Sequence, residues 1–340
     1  MVLRTNLVYW YRPNRRGGEY YKDRGVIYHT PALHVDAMPA TDSHQPIAYH
    51  DAVARAFSLS APLYDADQIS NPIARWTRAR NLALLSSLFK PGDRVLELGC
   101  GTGVEAIYLA RRGVTVVATD PAQAMIAEVQ SKLAEGGSAH DVAGRITPLV
   151  LAARDVWLLI ESYGPQAFDG AYSSFGPLNC EPDLAPVADA LAALVRPGGR
   201  VLISVINRYC LWEAAWYLAT GKPRVAFRRW GGRAGATVRA DWPHEKITIF
   251  YRTPGSMRRA FGAHFRLERT LALPWLLPPQ YLAGLVRRSP RLFRWLARVD
   301  RALAGTWPFH SLGDHCVLVL SRTPPTNAGS QRTIGEGGSP

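Results

Sequence analysis

From residue 94 onward the chain alternates short apolar blocks with stretches of helical period. Arg94 to Leu98 reads as a buried strand, and Gly103 to Arg112 as a helix closed by Gly113. VTVVAT, residues 114 to 119, predicts a second strand ending at Asp120. Pro121 to Glu135 predicts a helix with proline in its first turn, where the missing N–H costs nothing. Ile146 to Ala152 is a third strand and Phe168 to Ser174 a fourth. A helix over 184–195 then turns through Arg196-Pro-Gly-Gly into RVLISVI. Strands alternating with helices imply βαβ units, hence an α/β fold around a parallel sheet with right-handed crossovers.

The rhythm breaks at Asn207. Residues 207–253 read as an aromatic, basic insertion after the fifth strand, carrying Tyr209, Trp212, Trp216, Tyr217, Phe227 and Trp230. Such side chains suit a lid over an apolar or ring-bearing molecule, and equally the core of a small helical cover. KITIFYRT predicts a strand, SMRRAFGAHF a helix, FRLERTLAL a strand and HCVLVLSR a last strand. Tyr281 to Ala304 reads as a basic amphipathic helical segment. Leu292, Leu296, Val299 and Leu303 share one face, and Arg291, Arg294, Arg298 and Arg301 a neighbouring one. It is readable as a cover helix on its own domain or as a helix lying on anionic lipid. Residues 1–45 and 323–340 lack hydrophobic period and read as disordered extensions around one domain, 46–322; helical patterning begins near Met38.

Composition narrows the classes. The 340 residues are 47% hydrophobic and 20% charged, as in globular proteins. No apolar run reaches the roughly 20 residues of a membrane span, and the first residues make a poor secretory signal. Cys100, Cys180, Cys210 and Cys316 form no CxxC pair, so neither a metal site nor a disulfide is expected. A cytoplasmic protein is the default expectation, with peripheral membrane contact left open. The formal net charge of +13 invites a polyanion partner. Its basic residues are mostly arginine in an Ala-, Gly- and Pro-rich chain, which reads as compositional bias, so nucleic acid is not the expected partner.

The chemistry concentrates in VLELGCGTGVEA, residues 95–106. A dinucleotide fingerprint needs G-x-G-x-x-G, and Val104 stands where its last glycine belongs. A P-loop needs Lys-Ser or Lys-Thr, which does not follow. Glu97 would repel a pyrophosphate and attract a cation. Asp120 ends the second strand, where nucleotide-binding folds place an acid on the ribose hydroxyls. An unphosphorylated ribose beside a cationic, amino-acid-like group describes S-adenosylmethionine.

LELGCGTG followed by Asp120 resembles the class I S-adenosylmethionine-dependent methyltransferases, in the small-molecule branch that includes quinone-biosynthesis enzymes. The resemblance implies a Rossmann-like sheet of seven strands, mostly parallel with the last antiparallel, and helices on both faces. It implies cofactor contacts at Glu97, Gly99, Cys100, Gly101, Thr102, Gly103, Asp120, Pro121 and Met125. Further contacts are implied at Asp155 and Val156 near the adenine, Ser173 and Ser174 after the fourth strand, and Tyr64 closing over the cofactor. Several have plainer readings: Asp120 as a helix cap, Asp155 as a loop acid, the serines as strand ends, Tyr64 as a core aromatic, and Cys100 as a small residue at a crowded turn. The [N/D/S]-P-P-[Y/F/W] motif of many amino methyltransferases is absent; SSFGPLN stands there. The expected acceptor is therefore a small, apolar or ring-bearing molecule, the alternatives being RNA or a membrane-borne lipid or quinone. No base is assigned; Asp241, His244, Glu245, His310, Asp314 and His315 lie in segments able to approach the cofactor. The acceptor's identity and the oligomeric state stay open.

Overall fold

In a computed structural model of the chain, the residues described are 47–237 and 246–324. The expectations for residues 1–45, for 325–340 and for Asp241, His244 and Glu245 fall outside them. Two helices lead in, Ile47–Ser70 and Pro72–Leu88. The second is capped by Asn71, whose side chain accepts from the Ile73 and Ala74 amides at 3.0 and 3.2 Å.

Among the described residues nine strands follow: β1 (Arg94–Leu98), β2 (Thr115–Asp120), β3 (Ile146–Val150), β4 (Phe168–Ser173), β5 (Val195–Ile206), β6 (Arg233–Thr237), β7 (Lys246–Phe250), β8 (Phe265–Ala272) and β9 (His315–Arg322). Seven form one sheet in the order β3-β2-β1-β4-β5-β9-β8. β1 to β5 run parallel, and β9, last in sequence, inserts antiparallel between β5 and β8. The order reverses between β1 and β4, the place where open α/β sheets bind ligands.

Alternation along the strands sorts the core into two faces. Leu96, Leu98, Val117, Ala171, Val201 and Ile203 pack on one; Val95, Val116, Ala118, Tyr172 and Leu202 pack on the other. Glu97 shares the parity of Val95, which carries its carboxylate inside, under the glycine turn. It is 1% exposed.

Local chemistry moves several predicted boundaries. The helix expected from Pro121 starts at Gln123, because Asp120 Oδ1 accepts the Ala122 amide at 2.9 Å and holds Pro121-Ala122 in the turn. The segment 281–304 is two helices, Ala283–Arg288 and Pro290–Leu303, broken where proline has no amide to donate. β6 had no signal of its own, and it pairs with β7 in a separate antiparallel ribbon.

Candidate active site

The turn after β1 is tied down from β2. The Gly99 and Cys100 amides both donate to the Thr119 carbonyl, at 2.8 and 2.9 Å. Gly99, Gly101 and Gly103 all have positive φ, but for different neighbours. A Cβ on Gly99 would lie 2.3 Å from Pro177, and one on Gly103 2.9 Å from Val129; both are packing constraints. A Cβ on Gly101 would meet only Tyr64 Cε1, at 3.9 Å, and Gly101 lines the pocket beyond the turn. Gly101 is therefore where backbone is bared toward a ligand.

Asp120 completes this corner. Its Oδ2 accepts the Gly101 amide at 2.9 Å, while Oδ1 holds Ala122. Each oxygen keeps a second lone pair, so the carboxylate can still accept from a vicinal diol. It is 8% exposed, and burial pushes its acid up to about 6 despite the two backbone hydrogen bonds. Glu97 lies behind the turn, its carboxyl driven well above the ordinary range by burial first and by Glu105 second. Glu105 pairs with Arg78 Nε at 3.1 Å, and both line the pocket. Burial also raises the Cys100 thiol, as do Glu97 and Asp120, so it is a small apolar wall residue and no nucleophile.

The opposite wall comes from the first helix, through His50, Val53, Phe57 and Tyr64. That helix is latched to the glycine turn. Thr102 Oγ1 donates to Asp65 Oδ1 at 2.5 Å, and Lys132 Nζ bridges Asp65 Oδ2 at 2.6 Å and the Thr102 carbonyl at 2.7 Å. Beyond Ser174, which accepts from Asn81 Nδ2 at 2.9 Å, the pocket continues past Phe175 and Cys180 to Glu181, Ile206 and Ile249.

Of the residues singled out in the sequence, Tyr64, Gly99, Cys100, Gly101, Thr102, Asp120, Pro121, Met125 and Ser174 line this one pocket. Five sit outside its wall. Glu97 lies under the turn, and Gly103 ends it, packed against Val129. Ser173 is buried and donates to the Leu98 carbonyl at 2.9 Å, clasping β4 to β1. Val156 is a core residue, and Asp155 is half-exposed beside Arg154. Sequence reasoning missed His50, Phe57, Arg78, Glu181 and Ile249, which stand in no motif, and Glu105, which follows the glycine turn within VLELGCGTGVEA.

The insertion was expected to cover the acceptor as a lid. Among its described residues only Ile249 reaches the pocket. Tyr209, Phe227 and Trp230 cluster edge-to-face at the surface instead. A buried ion network anchors the segment: Arg229 Nη2 bonds Glu213 at 2.7 Å and Asp314 at 2.8 Å, and Arg228 grips Glu213 from the other side. Asp314 is thereby held below the usual carboxylate range, against burial, by Arg229 and His315. Asp314 and His315 belong to this anchor, and His310 contacts Ser311; none of the three lines the pocket.

The sheet order and the pocket at its switch point are those of a methyltransferase. The chain belongs to the methyltransferase-domain family, whose profile matches residues 73–264. Among curated relatives, the ubiquinone biosynthesis O-methyltransferase of Stutzerimonas stutzeri is 29% identical over 159 residues, 47% of this chain and 64% of the relative. The demethylmenaquinone methyltransferase of Beutenbergia cavernae is 32% identical over 163 residues, 48% of this chain and 58% of the relative. The chain thus spans less than two thirds of the length of these relatives. Two solved structures share the fold at a TM-score of 0.50. A putative S-adenosylmethionine-dependent methyltransferase from Listeria monocytogenes is 15% identical, with 73% of this chain and 97% of that one covered. The 1,6-didemethyltoxoflavin-N1-methyltransferase of Burkholderia thailandensis is 20% identical, with 85% and 94% covered.

Proposed function

We propose that the protein transfers the sulfonium methyl of S-adenosylmethionine to a small, ring-bearing acceptor of the quinone type. The carrying observation is a single pocket with two ends. One end joins the bared Gly101 backbone to the Asp120 carboxylate. The other is walled by Val53, Phe57, Ile206 and Ile249.

The residues fit the cofactor chemically. Asp120 accepts from the ribose hydroxyls with its free lone pairs. Pro121, Met125 and Ala153 offer apolar surface to the adenine. Arg78 and Glu105 present a cation and an anion to a zwitterionic amino acid. When bound, the cofactor supplies an electrophilic methyl group. The protein's share is then alignment of the acceptor and exclusion of water, which suits a buried pocket closed by a latched helix. The curated relatives named above include enzymes of ubiquinone and menaquinone biosynthesis, which supports a ring-bearing acceptor.

Calorimetry with S-adenosylmethionine, S-adenosylhomocysteine and NAD tests the reading. The first two should bind and NAD should not; comparable NAD binding overturns it. A screen of metabolite extract with methyl-labelled cofactor, followed by mass identification of the product, then names the acceptor.

A membrane-borne acceptor has one observation in its favour. The helix Pro290–Leu303 buries Ala297 and Asp300, and not the predicted leucine stripe. Leu292 and Trp295 are left 54% and 58% exposed, beside the exposed Arg291, Arg294 and Arg298. Apolar and basic side chains together suit an anionic lipid surface. Among the described residues no helix is long and apolar enough to cross a membrane. Flotation with phosphatidylglycerol vesicles should carry the protein up and flotation with phosphatidylcholine should not; recovery in the pellet with both rejects this reading.

A further inference from the structure

The acceptor end of the pocket holds two ionisable side chains that nothing else in the fold uses. His50 comes from the first helix and Glu181 from the loop after β4, and His50 Nδ1 lies 3.9 Å from Glu181 Oε2. Their side chains are 11% and 8% exposed, and both line the pocket. Among the described residues neither side chain makes a hydrogen bond. Around them the wall is Val53, Phe57, Cys180, Ile206 and Ile249. Buried polar groups without partners cost free energy that a ligand's hydroxyl group would recover. An imidazole beside a carboxylate in an apolar chamber is also the arrangement that accepts a proton.

We propose that His50 is the general base of this enzyme, oriented by Glu181, and that the acceptor is methylated on an acidic ring hydroxyl. This rests on the methyltransferase reading above and assigns the acceptor half of the same pocket. In the step, the acceptor's hydroxyl oxygen forms its bond to the methyl carbon as the carbon–sulfur bond breaks. Sulfur keeps that electron pair and becomes a neutral thioether. The hydroxyl proton passes to the free ring nitrogen of His50, and the resulting imidazolium is stabilised by the Glu181 carboxylate until the proton leaves to solvent. Glu181 is a positioning residue, acting only through His50.

The electrostatics agree with these roles. Burial holds the His50 imidazole below its ordinary value, helped by Arg154 and opposed by Asp155 and Asp51. His50 therefore enters the reaction neutral, able to accept a proton. Burial raises the Glu181 carboxyl to about 7, with Arg154 and Arg252 pulling it down and Asp155 pushing it up. A carboxyl poised near neutrality responds to a charge forming beside it. An amine acceptor would not need this pair, since its lone pair attacks before any proton is lost.

The test uses a coloured phenol, 4-nitrocatechol, whose visible spectrum reports its ionisation, added to the full chain saturated with S-adenosylhomocysteine. The bound dye should show phenolate absorbance at lower pH than the free dye, because the hydroxyl proton passes to neutral His50 and the imidazolium so formed stays beside the phenolate. His50→Gln should abolish the shift while leaving S-adenosylhomocysteine affinity within about twofold, roughly 0.4 kcal/mol. Glu181→Gln should shrink the shift, and Glu181→Asp should restore part of it. A wild-type complex that ignores the dye, or binds it with an unshifted titration, overturns the proposal. So does a shift that survives His50→Gln. If S-adenosylhomocysteine itself fails to bind the wild type, the methyltransferase reading fails instead, and calorimetry detects that separately. Should His50→Gln lower the melting temperature sharply, the Glu181→Gln and Glu181→Asp pair carries the test alone.

Discussion

Asp120 should make both stability and cofactor affinity depend on pH, with opposite signs. Its acid is raised from 3.8 to about 6 by burial. The folded apoprotein therefore holds a proton, between about pH 4 and 6, that the unfolded chain has released. The stabilising contribution is fully present below about pH 4 and is lost as pH rises through about 6. A shift of about two units corresponds to about 3 kcal/mol at most. Cofactor binding runs the other way, because ribose hydroxyls donate to the ionised carboxylate. If only that form binds well, affinity at pH 5 should be about tenfold weaker than at pH 7, or about 1.4 kcal/mol. The assay is calorimetry with S-adenosylhomocysteine and thermal melts of the apoprotein, each from pH 5 to 7.5. Glu97, Glu105 and Glu181 also have raised acids. The measured quantity is therefore the difference between wild type and Asp120→Asn, which cannot ionise. Asparagine keeps an acceptor for one of the two backbone amides, so the variant's constant offset does not disturb the slopes. Affinity that stays flat from pH 5 to 7.5, or slopes identical in Asp120→Asn, would refute the assigned role.

Gly101→Val should abolish cofactor binding, because its side chain enters the pocket toward Tyr64 from a backbone with φ +52; a folded variant with normal affinity places the ligand elsewhere. Asp65→Ala removes the shared partner of Thr102 and Lys132 and should cost about 1–3 kcal/mol of stability. It should also speed cofactor release in stopped-flow, and an unchanged off-rate removes the latch. Arg229→Ala should cost up to about 3–5 kcal/mol by leaving buried Asp314 without its guanidinium and Glu213 with Arg228 as its one remaining arginine, read by denaturant melts; a loss below about 1 kcal/mol shows that the network is not load-sharing. Trp212→Ala and Trp216→Ala should leave cofactor affinity within about twofold, roughly 0.4 kcal/mol, since neither side chain lines the pocket; a large loss in a stably folded variant contradicts the observed wall.

What the sequence determined by itself was whatever is written in contiguous residues. Glycines followed by helical period specify a strand-to-helix turn, because only that spacing supplies the positive φ angles. The acid at the end of the next strand lies beside the turn because β1 and β2 are parallel neighbours in register, Glu97 opposite Ala118 and Leu98 opposite Thr119. HCVLVLSR was legible as a strand from its apolar run, its antiparallel direction being what the family resemblance implied. Tertiary structure decided the rest. The direction of Glu97 followed from strand parity beneath a helix, a two-fold periodicity whose inner and outer faces look alike in a strand buried on both. Which glycine bares its backbone depended on Pro177 and Val129, from segments packed there by the sheet. The acceptor wall joins His50, Glu181 and Ile249 from three elements spread over 200 residues, each an ordinary residue in its own neighbourhood. Periodicity marks which face of an element is buried but not what buries it. For that reason neither the first helix, held by Asp65, nor Ile249 of the insertion was recognisable as pocket wall from its sequence.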